Sequence, residues 1–456
     1  MFKKIEIWIL YLVLLVSILF AVGFGVLVRQ ELVGETKAGW ISKTALTLAE
    51  IPVNLKKLVA GTSVDFEVVD RFPGLDGFDG VPNDNESYLL LSRYDGDLQE
   101  GIVELVDLTN FEVLHTWNPD INAFNKLVEA VDEYKYIERD QSNARMPLIH
   151  PKLTKDGGLL INAIRSATRK IDSCSRLIFQ NTRDIFHHSI ETDSEGNIWV
   201  PSQIYPQTLP LEKVGREFFY EGGFHDDAIV KLSADGRILF EKSVSQILID
   251  NGLEYLLFSI GDQDSFGIDP VHLNDIQPVD SDGEYWKKGD VFLSLRHQSM
   301  VLLYRPFTNK IIWKGVGPLF HQHDVDILDK HRVSIFNNNS KDFIGGDSVD
   351  GHNEVVIYDF KTKKYSSYLS ESLFKFDVRT VTNGRSEILE NGDLIIEETN
   401  FGRTMYINTD GTLRWSHVNR AGNGNVYGVG WSRILHKATD IEIVNNFLRT
   451  KGGCNG

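Results

Sequence analysis

Residues Val291 to Trp313 read VFLSLRHQSMVLLYRPFTNKIIW, three apolar runs parted by two short polar breaks. Each run is too short for a helix and is rich in Val, Leu, Ile and Phe, so the segment predicts strands. The break Pro306-Phe307-Thr308-Asn309 carries turn formers, which makes the strands an antiparallel meander. The same phrase recurs as YLLLSRYDGDLQEGIVELVDLTNFEVLHTW ending at Trp117, and as LIIEETNFGRTMYINTDGTLRW ending at Trp415. In all three the last strand closes on a Trp, which is expected to pack in the core.

A second phrase precedes the first: a polar residue, an apolar strand, a Gly or Asp turn, and another apolar strand. It begins at Ile149, His188, His272, His323 and Ser386, and the spacing His188 to Val200 equals that from His323 to Ile335. With the unit near Glu86 this gives six repeats of about 40 to 60 residues, the period of four-stranded propeller blades. The expected fold class is all-β, a six-bladed β-propeller with an N-terminal transmembrane helix and a short helical stalk. A tandem of β-sandwiches is the rival.

Ile7 to Val28 has no charged side chain, enough to span a hydrocarbon core of roughly 30 Å as a helix. Lys3 and Lys4 precede it, which places the N-terminus in the cytoplasm and the remainder on the periplasmic, extracytoplasmic side. A cleaved signal peptide competes, although the run is longer than an ordinary signal core and Ala21-Val22-Gly23 is a poor cleavage site. The expected domains are residues 1–30 as anchor, 31–84 as stalk, 85–440 as propeller and 441–456 as tail. Within the stalk, Lys37 to Leu58 reads as a helix broken near Pro52. Cys174 and Cys454 either pair, fastening the C-terminal end to an early repeat, or stay as two thiols; no CxxC motif exists.

The 456 residues are 42% hydrophobic and 24% charged, a globular composition. A formal charge of -17 excludes a general nucleic-acid binder, which needs a basic surface.

In a propeller the innermost strand of each blade lines the central channel, with its first residue at one mouth. His150, His188, His272 and His323 all hold that register, and Arg385 stands there in the sixth repeat. Four imidazoles at one register should gather around the axis. His297 is expected to face away from Arg296, His331 to sit in a turn, and His321 to share the side of His323 by alternation; His187 and His225 have no register argument. Metal sites on such folds also recruit carboxylates, and the axial positions offer few, so no metal is expected. Histidine with arginine and an asparagine amide suits an oxyanion instead.

The stretch from Asp269 to Asn339 resembles the PAPS-independent bacterial arylsulfotransferase family. Its motifs are His272-Leu273-Asn274, then Ser294-Leu295-Arg296-His297-Gln298-Ser299 with Thr308 to Trp313, then Gln322-His323-Asp324 and Phe336-Asn337. The opening repeat is similar as well, and the likeness covers roughly residues 85 to 420. The resemblance implies a six-bladed propeller in which His323 is the nucleophile that becomes transiently sulfated. It further implies that His272, Asn274 and Arg296 hold the sulfuryl oxygens and that His188 is a second channel histidine near the leaving or attacking oxygen. An N-terminal sandwich domain of some members is replaced here by the anchor and stalk, and DSDGEYWKKG is inserted between His272 and Arg296.

The expected activity is therefore ping-pong sulfuryl transfer from an aryl sulfate to a hydroxyl acceptor, both small molecules, with no nucleotide cofactor. Pro206 to Phe224 and an amphipathic helix over Ser243 to Phe258 are expected either to cover the channel mouth or to pack between blades. The alternatives are a non-catalytic propeller that binds or scaffolds in the cell envelope, and a metal-dependent hydrolase; fold alone does not choose among them.

Overall fold

A computed structural model describes residues 6–32, 39–42, 44–49, 51, 66–129, 134, 137, 141–214, 223–259, 267–343 and 346–450. The chain divides into two compact units at Asp65/Phe66. In the first, Ile7–Leu32 is one α-helix. Its segment Ile7–Gln30 is long and apolar enough to cross a membrane, a property that a signal sequence shares. Residues 40–42 and 44–49 are also helical, within the helix expected over 37–58, and the end of that expected helix lies outside the described residues.

The second unit is all-β and propeller-like. Val291–Leu295, Met300–Arg305 and Lys310–Val316 form the meander read from the sequence, with Leu273–Pro278 added on the inner edge. Asn309 takes a left-handed φ of 52°, a conformation that asparagine tolerates, and so lets the last turn close. His323–Ile327, Arg332–Asn337, Glu354–Asp359 and Lys364–Tyr368 make the next sheet. Arg385–Ile388, Leu394–Glu398, Arg403–Ile407 and Leu413–Val418 make another.

Two four-strand meanders are fused into one eight-stranded sheet. Leu177–Phe186 joins Ile198–Gln203 through the pairs Phe186↔Ser202 and Ile185↔Gln203. The remaining large sheet draws Tyr88–Asp95, Glu100–Asp107 and Glu112–Trp117 from the start of the unit and its inner strand, Arg433–Leu435, from the end. Segments from the start and from the end of the unit thus pair in one sheet.

Side chains fasten the inner strands to neighbouring sheets. Asp227 accepts the Leu273 N–H at 2.6 Å, Asp275 that of Val325 at 2.8 Å, and Asp324 that of Ser386 at 2.8 Å. Ser189 and His150 do the same for Ile276 and Ile190. Backbone donors near the axis have no ladder partner on that side, and these acceptors satisfy them.

Trp117 and Trp415 are fully buried and Trp313 is partly buried in the core, as expected. The helix Val244–Asp250 sends Val244, Ile247 and Leu248 among Leu273, Leu293 and Leu302, so the Ser243–Phe258 segment packs between sheets. Of the other insertion, Phe218, Phe219 and Tyr220 lie outside the described residues, while Phe224 is buried in the same cluster.

Both expected boundaries of the propeller differ in detail from the structure. Gly77–Gly80, placed in the stalk by sequence, is a fifth strand paired with Leu413–Val418, and Glu67–Val68 pairs with Val426–Tyr427. At the other end Ala438–Thr450 is a helix whose Phe447 stacks 5.1 Å from Trp117. Cys174 is disulfide-bonded, and Cys454, the only other cysteine in the sequence, lies outside the described residues.

Candidate active site

His188, His272 and His323 begin inner strands of different sheets, and their rings meet. The ring centroids of His188 lie 5.2 Å from those of His272 and 6.3 Å from those of His323. Trp431, which leads into the closing strand Arg433–Leu435, packs 5.8 Å from His323 and 6.2 Å from His188. His188 and His272 have φ of 56° and 51°, so each chain reverses sharply as it enters its strand and delivers the ring to the axis.

His323 is held from its Nδ1 side. That nitrogen lies 2.6 Å from Asn338 Oδ1 and 3.1 Å from the His321 carbonyl, two acceptors, so it carries the proton. The amide of Asn338 cannot be turned round, because its Nδ2 donates to the carbonyls of Asn383 at 2.7 Å and Thr380 at 3.1 Å. Nε2 of His323 therefore presents a lone pair, touched only by the Asn383 N–H at 3.3 Å. Burial, then the positive charge of Arg296, push the His323 pKa well below its ordinary value, while the bond to Asn338 opposes them. The ring is neutral at neutral pH.

The other two imidazoles are held the same way round. His272 Nδ1 lies 2.6 Å from Asp269 Oδ2. Burial alone would raise the Asp269 pKa, but bonds from His225 and His272 hold it far below the usual carboxylate range. His188 Nδ1 lies 2.8 Å from His187 Nδ1. His187 Nε2 faces Asp227 Oδ1 at 3.5 Å, and neither buried atom has a hydrogen-bond partner. A proton on the Asp227 side of His187 leaves its Nδ1 to accept from His188, so His188 also offers Nε2. Burial, followed by the charges of His187, His272 and His323, keeps the His188 pKa well below its ordinary value.

Arg296 is 7% exposed, its Nε has no partner, and its nearest carboxylate, Asp347, is at 3.9 Å. A buried guanidinium with spare donors is costly to keep and ready for an anion. Its positive charge helps to depress the pKa of both His323 and His321; burial and that charge push His321 down to about 4. Asn274 behaves differently from the other expected ligands. Its Nδ2 donates to the Gln322 carbonyl at 2.8 Å, and its buried Oδ1 is an acceptor, so it braces the strand that carries His323.

Several sequence readings change here. His150 shares the register but not the site: its Nδ1 accepts the Ile190 N–H and its Nε2 lies 2.6 Å from the Arg433 guanidinium. Arg385 is committed to Glu387 at 3.3 Å, Asp324 at 3.7 Å and the Ser432 carbonyl. His297, expected to face away, packs 4.4 Å from His272. Residues Arg296–Gln298 form a 3-10 turn, in which strand alternation no longer decides the side. His331 lies against Asp359 at 3.2 Å, away from the histidine cluster, in keeping with its turn.

A cavity of 330 Å3 opens on His188 and His272, with His187, Asp227 and Asp269 behind them and Arg145 and Arg165 also lining it. Among the described residues, Asp269, His272 and His297 also bring three potential metal-ligating atoms together. Two of those atoms are imidazole Nδ1 atoms engaged by Asp269 itself, one with its carboxylate and one with its carbonyl at 2.6 Å, so the set is closed on itself.

The family model described as Arylsulfotransferase (ASST) matches residues 150–420, more than half of the chain. This chain belongs to the arylsulfotransferase family. The matched span holds His188, His272, Arg296 and His323, together with Asn338 and Asp269, so all of the converging imidazoles fall within it. No curated protein matches the chain. Solved structures similar to it include a protein of unknown function from Bacteroides caccae, at 10% identity and TM-score 0.45, covering 77% of this chain and 99% of that one. Virginiamycin B lyase from Staphylococcus aureus is similar at 10% identity and TM-score 0.32, covering 59% and 69%. Hydrazine synthase from Kuenenia stuttgartiensis is similar at 9% identity and TM-score 0.37, covering 74% and 80%.

Asn338 gives the site a direct test. Asn338→Asp puts a carboxylate 2.6 Å from Nδ1, which should raise the His323 pKa and move the acid limb of kcat/KM to higher pH. Asn338→Leu removes the acceptor and should lower kcat by about 10- to 100-fold, the scale of losing a residue that orients a histidine. A pH-rate profile unchanged in Asn338→Asp would remove Asn338 from this role.

Proposed function

We propose that the chain is a membrane-anchored, PAPS-independent sulfotransferase that carries a sulfuryl group from an aryl sulfate to a hydroxyl acceptor through a sulfohistidine at His323. The observation that carries this reading is the fixed tautomer of His323: Nδ1–H bound by Asn338, and an unprotonated Nε2 whose one contact is a long 3.3 Å bond from the Asn383 N–H, in a buried site that feels the charge of Arg296. A neutral imidazole with an unprotonated nitrogen, near a cation that can hold the sulfuryl oxygens, is what a nucleophile for a sulfate ester requires.

In the first half-reaction the Nε2 lone pair forms an N–S bond as the S–O bond to the aryl group breaks. The ring gains positive charge, which Asn338 Oδ1 stabilises through Nδ1–H. Charge developing on the sulfuryl oxygens faces Arg296. The departing aryl oxide takes a proton from His272, whose ring is paired through Nδ1 with the Asp269 carboxylate. In the second half-reaction that imidazole, now neutral, takes the proton of the acceptor hydroxyl, whose oxygen displaces His323 from sulfur. The electron pairs and the proton return to their starting places, so no cofactor is consumed.

The remaining parts of the reading rest on sequence and topology. The eight-stranded sheet counts as two blades fused by two residue pairs, which with the other four large sheets makes six. Ile7 to Val28 is the anchor, with Lys3 and Lys4 on the cytoplasmic side and the propeller in the periplasm. Activated nucleotide sulfate is not expected there, which suits a donor that is itself an ester.

The test is to mix the full chain in detergent with p-nitrophenyl sulfate, stop the reaction before acceptor is added, and map modified peptides by mass. The expected result is one added sulfuryl group on the peptide containing His323, lost on addition of a phenol. Nitrophenol release with no modified histidine would rule the intermediate out.

A further inference from the structure

The cavity beside the histidines is lined by imidazoles and also by two arginines, and we infer from this that the preferred donors are single-ring aryl sulfates bearing a second anionic group, held by Arg145 and Arg165. This inference rests on the proposed sulfuryl transfer and adds the class of donor.

At 330 Å3 the cavity lies at the low end of the roughly 300–1,000 Å3 usual for small-molecule sites, room for one substituted ring. His188 and His272 supply its reactive groups. Pro147 and Ile164 give it apolar wall, suited to a ring face. Arg145 and Arg165 come from two separate loops, one before the strand Ile149–Leu153 and one between Leu159–Asn162 and Ser166–Ile171. Gln141 ties those loops together by donating to the Ile164 carbonyl at 2.8 Å.

Charge makes this pairing specific. The chain carries -17 overall, and the cavity's own carboxylates, Asp227 and Asp269, sit beside the histidines. A ligand with two negative groups would be repelled from most of such a surface. Among the described residues it meets cations at Arg296, whose charge acts on His323, for the sulfate, and at Arg145 and Arg165 in the cavity lining. Each guanidinium presents its donors in a planar fork, the geometry that grips a carboxylate or a second sulfate.

The experiment compares p-(carboxymethyl)phenyl sulfate with p-tolyl sulfate, whose leaving phenols have nearly equal basicity, on the full chain in detergent. The expected result is kcat/KM higher by about tenfold or more for the carboxylated donor, the scale of one charge-assisted pair, falling with added salt. In the Arg145→Gln/Arg165→Gln double variant the ratio of the two donors should approach one, and Arg165→Lys alone should retain part of it. Equal kcat/KM for the two donors in the unmodified chain, or a ratio that persists in the double variant, overturns the inference. Calorimetric titration with p-hydroxyphenylacetate and with p-cresol reads the same selectivity without catalysis. If no donor is consumed, a preference for p-hydroxyphenylacetate of about tenfold that the double variant abolishes upholds the anion subsite while the transfer reading fails. Equal affinities overturn the subsite.

Discussion

His323→Ala should abolish aryl sulfate turnover, with kcat falling by about 10^4-fold or more, the scale of removing a covalent nucleophile. The expectation comes from what would be left. His188 and His272 would still face the cavity, but each has its Nδ1 taken by a neighbour, His187 for one and Asp269 for the other. Neither has a carbonyl-fixed amide at Nδ1 that would stabilise a sulfated, cationic ring as Asn338 does for His323. The alanine variant also vacates an imidazole-sized space beside Arg296, so added imidazole should restore part of the turnover and itself appear sulfated. Circular dichroism and the thermal midpoint separate chemistry from folding: loss of a buried, neutral ring costs packing, not an ion pair. Turnover within tenfold of the unmodified chain would exclude His323 as the nucleophile.

The meanders were readable because their turns carry Asn, Asp and Gly, with Asn309 and Gly411 taking a left-handed φ in two of them, and because each phrase closes on a tryptophan. The histidine register was readable for the same reason, since a repeat brings equal positions to the same axis. What escaped was every contact made across repeats. Arg433–Leu435 is three residues long and gives no strand signal of its own; only pairing with Tyr88–Asp95 makes it one. Asp269, His187 and Asp227 act by touching histidines of the site, a relation that spacing does not record.

Asn338 shows the limit most clearly. It stands in the run Asn337-Asn338-Asn339, where nothing in the sequence separates the three. In the structure they do different work. Asn337 accepts the Phe320 N–H and donates to the Pro318 carbonyl, Asn338 takes His323, and Asn339 donates to the Asp350 and His352 carbonyls. A signal was nevertheless present: His323 and Phe336 are partners across a hairpin, so the residues just after Phe336 must return beside the head of the first strand. At His297 alternation was applied to residues that form a 3-10 turn, so it did not foresee the packing of that ring against His272.

Arg296→Met should lower kcat/KM by about 10^2- to 10^3-fold, the loss seen when one donor to a developing oxyanion is removed. Methionine keeps much of the apolar stem, so the change isolates the guanidinium. Arg296→Lys should fall between, since a point charge replaces a planar fork. The pH dependence supplies a readout that packing alone would not move. Arg296 helps to depress the His323 pKa, so at present Nε2 stays unprotonated down to well below pH 6.5, the ordinary histidine value. Removing that charge lets the pKa rise, and the acid limb of kcat/KM should move to higher pH. Stability should move the other way from activity. The guanidinium is buried with only a 3.9 Å approach to Asp347, and its charge stands among imidazoles it repels when they are protonated. Replacing such a cation with an apolar side chain should leave the thermal midpoint unchanged or raise it. A variant that melts lower while its pH profile stays fixed would make Arg296 a brace for the fold, and the anion pocket would lose its principal cation.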